Sequence, residues 1–132
     1  AAVASRLAGE LYGLEAIETG IEDAAHNTTR FVALSQEPGV PPAEAAVMTT
    51  LTFEVRSVPA ALFKALGGFA TNGVNMTKLE SYMRGGQFTA AEFYVDIEGR
   101  PDDEPVARAL EELAHFSKWV RLLGTYERAR ER

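Results

Sequence analysis

Residues 57–83, SVPAALFKALGGFATNGVNMTKLESYM, hold the groups whose types and spacing best suit chemistry. Pro59 fits the first turn of a helix, where its missing N–H costs nothing, and Ser57 stands ahead of it as a cap. The N–H groups of Ala60, Ala61 and Leu62 then point outward at the positive end of a helix, where a carboxylate is held. Asn75 and the strand carbonyls near Met76 and Leu79 supply acceptors for an ammonium group. Leu62, Met76 and Leu79 can line an apolar slot. Each of these residues alone is more simply a helix start or a core position. A second candidate is Thr29-Arg30-Phe31, a hydroxyl donor beside a cation. On its own it is a weak signal and reads as the start of a strand. His26 and His115 have no partner at catalytic or metal spacing, and with no cysteine a metal site is not expected.

Composition narrows the classes. Hydrophobic residues make up 46% of the 132, a globular proportion. The formal net charge of −6 argues against a nucleic-acid surface, which needs a basic face, as do Glu54, Glu92 and Asp96 on the open face of the expected sheet. No apolar run approaches the roughly 20 residues of a membrane span. Arg6 and Glu10 interrupt any signal-peptide core. A cytoplasmic protein is the expectation.

The elements that must position the candidate residues follow from periodicity. Residues 1–12 suggest a helix with Val3, Leu7 and Leu11 on one face, ended by Gly13. A short strand is expected at 14–19, one helical turn at 21–25, and a strand buried on both faces at 29–34. Pro38-Gly39 and Pro41-Pro42 make 36–46 a linker. Residues 47–56 alternate Leu51, Phe53 and Val55 inward against Thr50, Thr52, Glu54 and Arg56. A helix over 60–71 buries Leu62, Leu66, Phe69 and Ala70, and Asn72-Gly73 ends it. The next strand, 74–83, changes phase between Met76 and Leu79, which predicts a β-bulge near Thr77-Lys78. Residues 84–87 form a hairpin turn, and 89–97 a strand with Ala91, Phe93, Val95 and Ile97 inward. Asp102 or Asp103 caps a helix over 106–116, with Val106, Leu110, Leu113 and Ala114 toward the sheet. Ser117-Lys118 ends it, and a last strand over 119–126 leads to a charged tail. From residue 47 the order is β-α-β-β-α-β, a ferredoxin-like α+β sandwich.

Two stretches also carry a family resemblance. Pro59-Ala60-Ala61-Leu62 resembles a Pro-Gly-Ala-Leu motif, and Gly73-Val74-Asn75-Met76-Thr77-Lys78-Leu79-Glu80-Ser81-Tyr82-Met83 resembles G-V-N-x-T-K-x-E-S-R-P. Asn27-Thr28-Thr29-Arg30-Phe31 matches a third motif. All three belong to the prephenate dehydratase family, whose members make phenylpyruvate on the way to phenylalanine. The departures are Ala60 where the family has Gly, which narrows approach to the backbone, and Tyr82-Met83 where it has Arg-Pro, which removes a cation.

The resemblance implies that 1–35 closes a two-lobed catalytic α/β domain, 36–46 is the linker, and 47–132 is an ACT regulatory domain. It implies roles for Thr29 in helping hydroxide leave and for Arg30 in electrostatics or positioning, with Phe31 completing the signature. It implies an L-phenylalanine site built from Pro59, Ala60, Ala61, Leu62, Asn75, Met76, Thr77, Leu79, Glu80 and Ser81, with Glu80 and Ser81 shaping a loop over the ligand. In that family the two halves of the site come from different subunits, so a dimer or tetramer is expected. Prephenate is the substrate of the intact enzyme, and no cofactor is called for. This chain alone is expected to be inactive on prephenate. The competing expectation is a stand-alone amino-acid-sensing or dimerisation module.

Overall fold

The computed structural model describes residues 1–24, 29–56, 58–83 and 90–129. The chain divides into two compact units, Ala1–Leu34 and Ser35–Arg132. Among the described residues of the first unit one helix forms, α1 (Arg6–Tyr12). Its bounds are chemical. The Ser5 side chain accepts the Ala8 N–H at 3.2 Å, and Gly13 closes the other end in the left-handed region at φ 64°. The expected helix over 1–12 is thus five residues shorter at its start.

Neither expected strand of this unit is present; of the helical turn expected at 21–25, residues 21–24 are not helical and the last lies outside the described set. A strand's hydrogen bonds are made to another strand, and none lies beside 14–19 or 29–34 among the described residues. Phe31 and Leu34 are accordingly exposed (88% and 94%), where burial on both faces was expected.

The second unit is the α+β sandwich. Its elements are β1 (Val47–Val55), α2 (Ala61–Thr71), β2 (Met76–Met83), β3 (Ala90–Glu98), α3 (Glu104–Phe116) and β4 (Ser117–Glu127). They form one antiparallel sheet in the order β2-β3-β1-β4, with both helices on one face. Leu51, Phe53, Phe93, Val95 and Ile97 point inward and are buried. Phe53 and Phe93, paired across β1 and β3, stack with ring centroids 5.3 Å apart. The register of β2 against β3 shifts between Met76 and Lys78. That is the bulge the phase change called for, and it returns Leu79 to the inner side opposite Val95.

Several details differ from expectation. The face α2 buries is Ala61, Ala65, Gly68 and Phe69, while Leu62 and Leu66 are half-buried and Ala70 is exposed. Small residues win because α2 packs directly on α3: a Cβ on Gly68 would lie 2.7 Å from Glu112 Cβ and 3.2 Å from the Ala109 carbonyl. The mirror adjustment occurs on α3, which buries Val106, Ala109 and Leu113 and leaves Ala114 exposed. Asp103 is the α3 N-cap, but its carboxylate accepts the Arg100 N–H at 2.7 Å instead of a helix N–H. Ser117 and Lys118 begin β4 directly rather than separating it from α3. Asp96 faces outward as expected yet is fully buried, accepting the Thr50 hydroxyl at 2.5 Å. Thr50 in turn meets the Tyr126 hydroxyl at 2.8 Å. Ser57, His26 and the 84–87 turn lie outside the described residues.

Candidate ligand-binding site

The helix entry is built one residue later than its sequence suggests. Pro59 precedes the N-cap, which is Ala60, and α2 starts at Ala61. Ala60 sits at φ 56°, ψ 28°, the one described non-glycine residue in the left-handed region. A methyl-bearing residue pays for that conformation, and glycine does not. The Ala61 N–H is spent on the Val58 carbonyl at 3.1 Å, and its side chain is buried. The expected outward donor at Ala61 is therefore internal. The first helical bond runs from the Lys64 N–H to the Ala60 carbonyl at 3.0 Å. Among the described residues, the N–H groups of Leu62 and Phe63 have no backbone acceptor. These two N–H groups point out of the positive end, and the expected donor at Ala60 likewise has no backbone acceptor among the described residues.

At β2 the second motif forms a polar outer row and an apolar inner row. Met76, Leu79 and Ser81 lie inward, opposite Ile97, Val95 and Phe93. Met76 is half-buried against the core, and Leu79 stays 43% exposed. Thr77 sits in the bulge, its hydroxyl 3.4 Å from the Asp96 carbonyl. The backbone carbonyl of exposed Asn75 accepts the Glu98 N–H at 2.9 Å, which leaves its side chain for other partners. Glu80 and Ser81, expected to shape a loop over the ligand, are paired residues of β2.

Sequence reasoning singled out Glu80 but not the outer row it belongs to. Lys78, Glu80 and Tyr82 alternate along β2, and that two-residue spacing is the signal that could have found them. Lys78 Nζ lies 3.0 Å from Glu80 and 4.9 Å from the centroid of the Tyr94 ring. The Tyr82 hydroxyl donates to Glu80 at 2.8 Å. That bond, and then Lys78, hold the Glu80 carboxyl below the usual carboxylate range. The same contacts raise Tyr82 and Lys78, each through its hydrogen bond to Glu80. Tyr82 thus takes up the outer face with a neutral donor where the resembling motif has an arginine.

One chain does not bring the two motifs together. β1 and β2 run parallel, each antiparallel to β3. The helix α2 between them starts beside the end of β1 and returns to the start of β2. Its 11 residues set Ala60 and Asn75 at opposite ends, roughly 16 Å apart at 1.5 Å per residue. Thr29, Arg30 and Phe31 lie exposed in irregular chain of the first unit. Among the described residues no group of His, Cys, Asp or Glu is placed to hold a metal, and no helix is long and apolar enough to cross a membrane.

Comparison with known proteins adds relatives. The family described as prephenate dehydratase matches residues 1–39. The chain is 56% identical over 126 residues to a bifunctional N-acyl-homoserine lactone acylase/prephenate dehydratase of Komagataeibacter europaeus, covering 95% of this chain and 45% of that protein. It is 35% identical over 128 residues to a bifunctional chorismate mutase/prephenate dehydratase of Aquifex aeolicus, covering 97% and 35%. Among solved structures it matches the quorum-quenching acylase GqqA at a TM-score of 0.74 and 49% identity, over 96% of this chain and 46% of that one. It also matches a prephenate dehydratase of Arthrobacter aurescens in complex with L-Phe, at a TM-score of 0.59 and 35% identity, over 69% and 30%. The chain spans less than half the length of these relatives.

Proposed function

We infer that this chain, a member of the prephenate dehydratase family, carries at 47–132 an ACT domain that binds L-phenylalanine and restrains the dehydratase to which residues 1–35 belong. The observation that carries the reading is the placement of two exposed, complementary motifs at opposite ends of α2. One end offers the Leu62 and Phe63 N–H groups to a carboxylate. The other offers the Asn75 side chain to an ammonium group and Leu79 to a ring. A second chain related by a two-fold axis sets the helix entry of one protomer against β2 of the other. The relative crystallised with L-Phe supports the choice of effector.

In the whole protein the reaction expels carbon dioxide and hydroxide from prephenate as the ring becomes aromatic, giving phenylpyruvate and, with a proton, water. The Thr29 hydroxyl is the donor assigned to the departing hydroxide, and Arg30 the cation for a substrate carboxylate. Phenylalanine acts by favouring one arrangement of the subunits over another.

The test uses the whole protein. With prephenate it forms phenylpyruvate, and L-phenylalanine lowers that rate. Asn75→Ala leaves the uninhibited rate unchanged and raises the L-phenylalanine needed by about tenfold, the worth of one hydrogen bond to a charged group. An undiminished rate at saturating L-phenylalanine overturns the reading. A second reading is favoured by the relative at 56% identity, whose name includes acylase activity. In it the whole protein also cleaves the amide of N-acyl-homoserine lactones, and release of free homoserine lactone is the readout.

A further inference from the structure

We propose that Arg100 is a latch that docks residues 41–46 onto the ACT domain, and that ligand occupancy at Asn75 is read out as a change in that docking. The second half rests on the effector reading above; the first does not.

Three consecutive residues tie three parts of the chain together. The Glu98 N–H donates to the Asn75 carbonyl at 2.9 Å. The Gly99 N–H donates to the Val47 carbonyl at 3.1 Å, and the Gly99 carbonyl accepts the Thr49 hydroxyl at 2.7 Å. The Arg100 guanidinium donates from Nη1 to the Pro41 carbonyl at 3.4 Å, and from Nη2 to the carbonyls of Pro42 and of Ala43, the latter at 3.4 Å. Its backbone N–H is held by Asp103 at 2.7 Å. Gly99 stands at φ 106°, with Val106 Cγ2 2.9 Å from where a Cβ would be. Only glycine fits here, and with Glu98, Gly99 and Arg100 each tied by backbone hydrogen bonds a shift at Glu98 is passed to Arg100.

The docked segment is held from its own side as well. The Ala45 N–H donates to the Pro42 carbonyl at 3.1 Å, and the Ala46 carbonyl accepts the Arg128 N–H at 2.8 Å. Arg128 pairs with Glu98 at 2.7 Å, returning to the same turn. Prolines have no N–H to join a sheet, so the backbone of Pro41 and Pro42 hydrogen-bonds through its carbonyls alone. A planar guanidinium spreads five N–H donors over three nitrogens and so spans carbonyls along the segment, whereas an ammonium presents three donors from one atom. Asn75 is a candidate ligand contact whose backbone ends on Glu98. Binding there acts on the turn that holds the latch, and the coupling is reciprocal.

Amide hydrogen exchange on the 132-residue chain tests this, with and without L-phenylalanine, for wild type, Arg100→Ala and Arg100→Lys. Loss of the latch speeds exchange at Ala45 and Arg128 by about tenfold, while the Leu51 and Val95 amides stay protected and show the fold intact. Arg100→Lys restores only part of the protection. In wild type L-phenylalanine changes Ala45 exchange, and in Arg100→Ala it does not. Equal Ala45 exchange in wild type and Arg100→Ala overturns the latch. Heat of L-phenylalanine binding without any change at Ala45 overturns the coupling and leaves the latch. Faster exchange in Arg100→Ala with no binding to wild type overturns the effector reading alone.

Discussion

Ala60 shows how much one methyl group can matter at a helix entry. Its left-handed backbone is imposed by the turn from Val58 into α2 and is stabilised by nothing of its own. Ala60→Gly removes a cost of about 1 kcal/mol, which in a domain of this size raises the melting temperature by roughly 4–8 °C. A thermal scan checks it, and an unchanged or lower midpoint contradicts the assigned conformation. Tyr82 gives a second prediction. Its hydroxyl is the first cause of the lowered Glu80 carboxyl, so Tyr82→Phe moves that titration up toward the ordinary carboxylate value. A carboxyl lowered by folding adds stability above its unfolded pKa and loses it as pH falls through the folded one. The variant therefore begins to lose this contribution at a higher pH. Carboxyl NMR titration of Glu80 reads the shift directly. The candidate residues themselves were legible because their types and order carry a motif. The φ of Ala60 was not, because a residue's own identity says little about the backbone its neighbours force on it.

At the scale of elements, α2 separates what pattern reveals from what packing decides. Counting large apolar residues gives Leu62, Leu66 and Phe69, a fair stripe, yet the buried face also takes in Ala65 and Gly68, and the close approach to α3 is made at Gly68. Helix-to-helix closeness needs small residues, and a hydrophobicity pattern weights them least. Two adjacent glycines test this in opposite directions. Gly68→Ala forces its methyl group on Glu112 Cβ and destabilises by about 1–3 kcal/mol, whereas Gly67→Ala meets nothing and stabilises by up to about 1 kcal/mol through helix propensity. Denaturant midpoints of the two variants falling on the same side of wild type would contradict the packing. The Thr77 bulge, by contrast, was legible, since an alternating strand cannot change phase without an extra residue. Helix α2 also ends as its sequence says: Gly73 at φ 67° lets the Val74 N–H reach the Phe69 carbonyl at 2.8 Å and its own N–H reach that of Ala70 at 3.3 Å.

For the whole molecule, the β-α-β-β-α-β order was readable because most elements of the second unit carry their own boundary residues in the sequence and its strands pair with one another. Residues 14–19 and 29–34 have strand-like patterns but, among the described residues, no strand beside them, and a pattern supplies no partner. The segment 41–46 reads as a free linker for the related reason that proline content predicts the absence of helix and strand, not the absence of docking. The same limit applies to the site: each motif is visible in one chain, and the structure sets them at opposite ends of one helix. The central claim is that the two ends combine to hold an aromatic amino acid. Calorimetric titration of the chain with L-phenylalanine, against L-serine, tests it most directly. The account predicts saturable heat for L-phenylalanine at one ligand per chain, none for L-serine, and about tenfold weaker binding in Asn75→Ala. Absence of heat with L-phenylalanine, for a chain that is folded and dimeric in the same sample, would contradict it and leave a dimerisation module with a silent site.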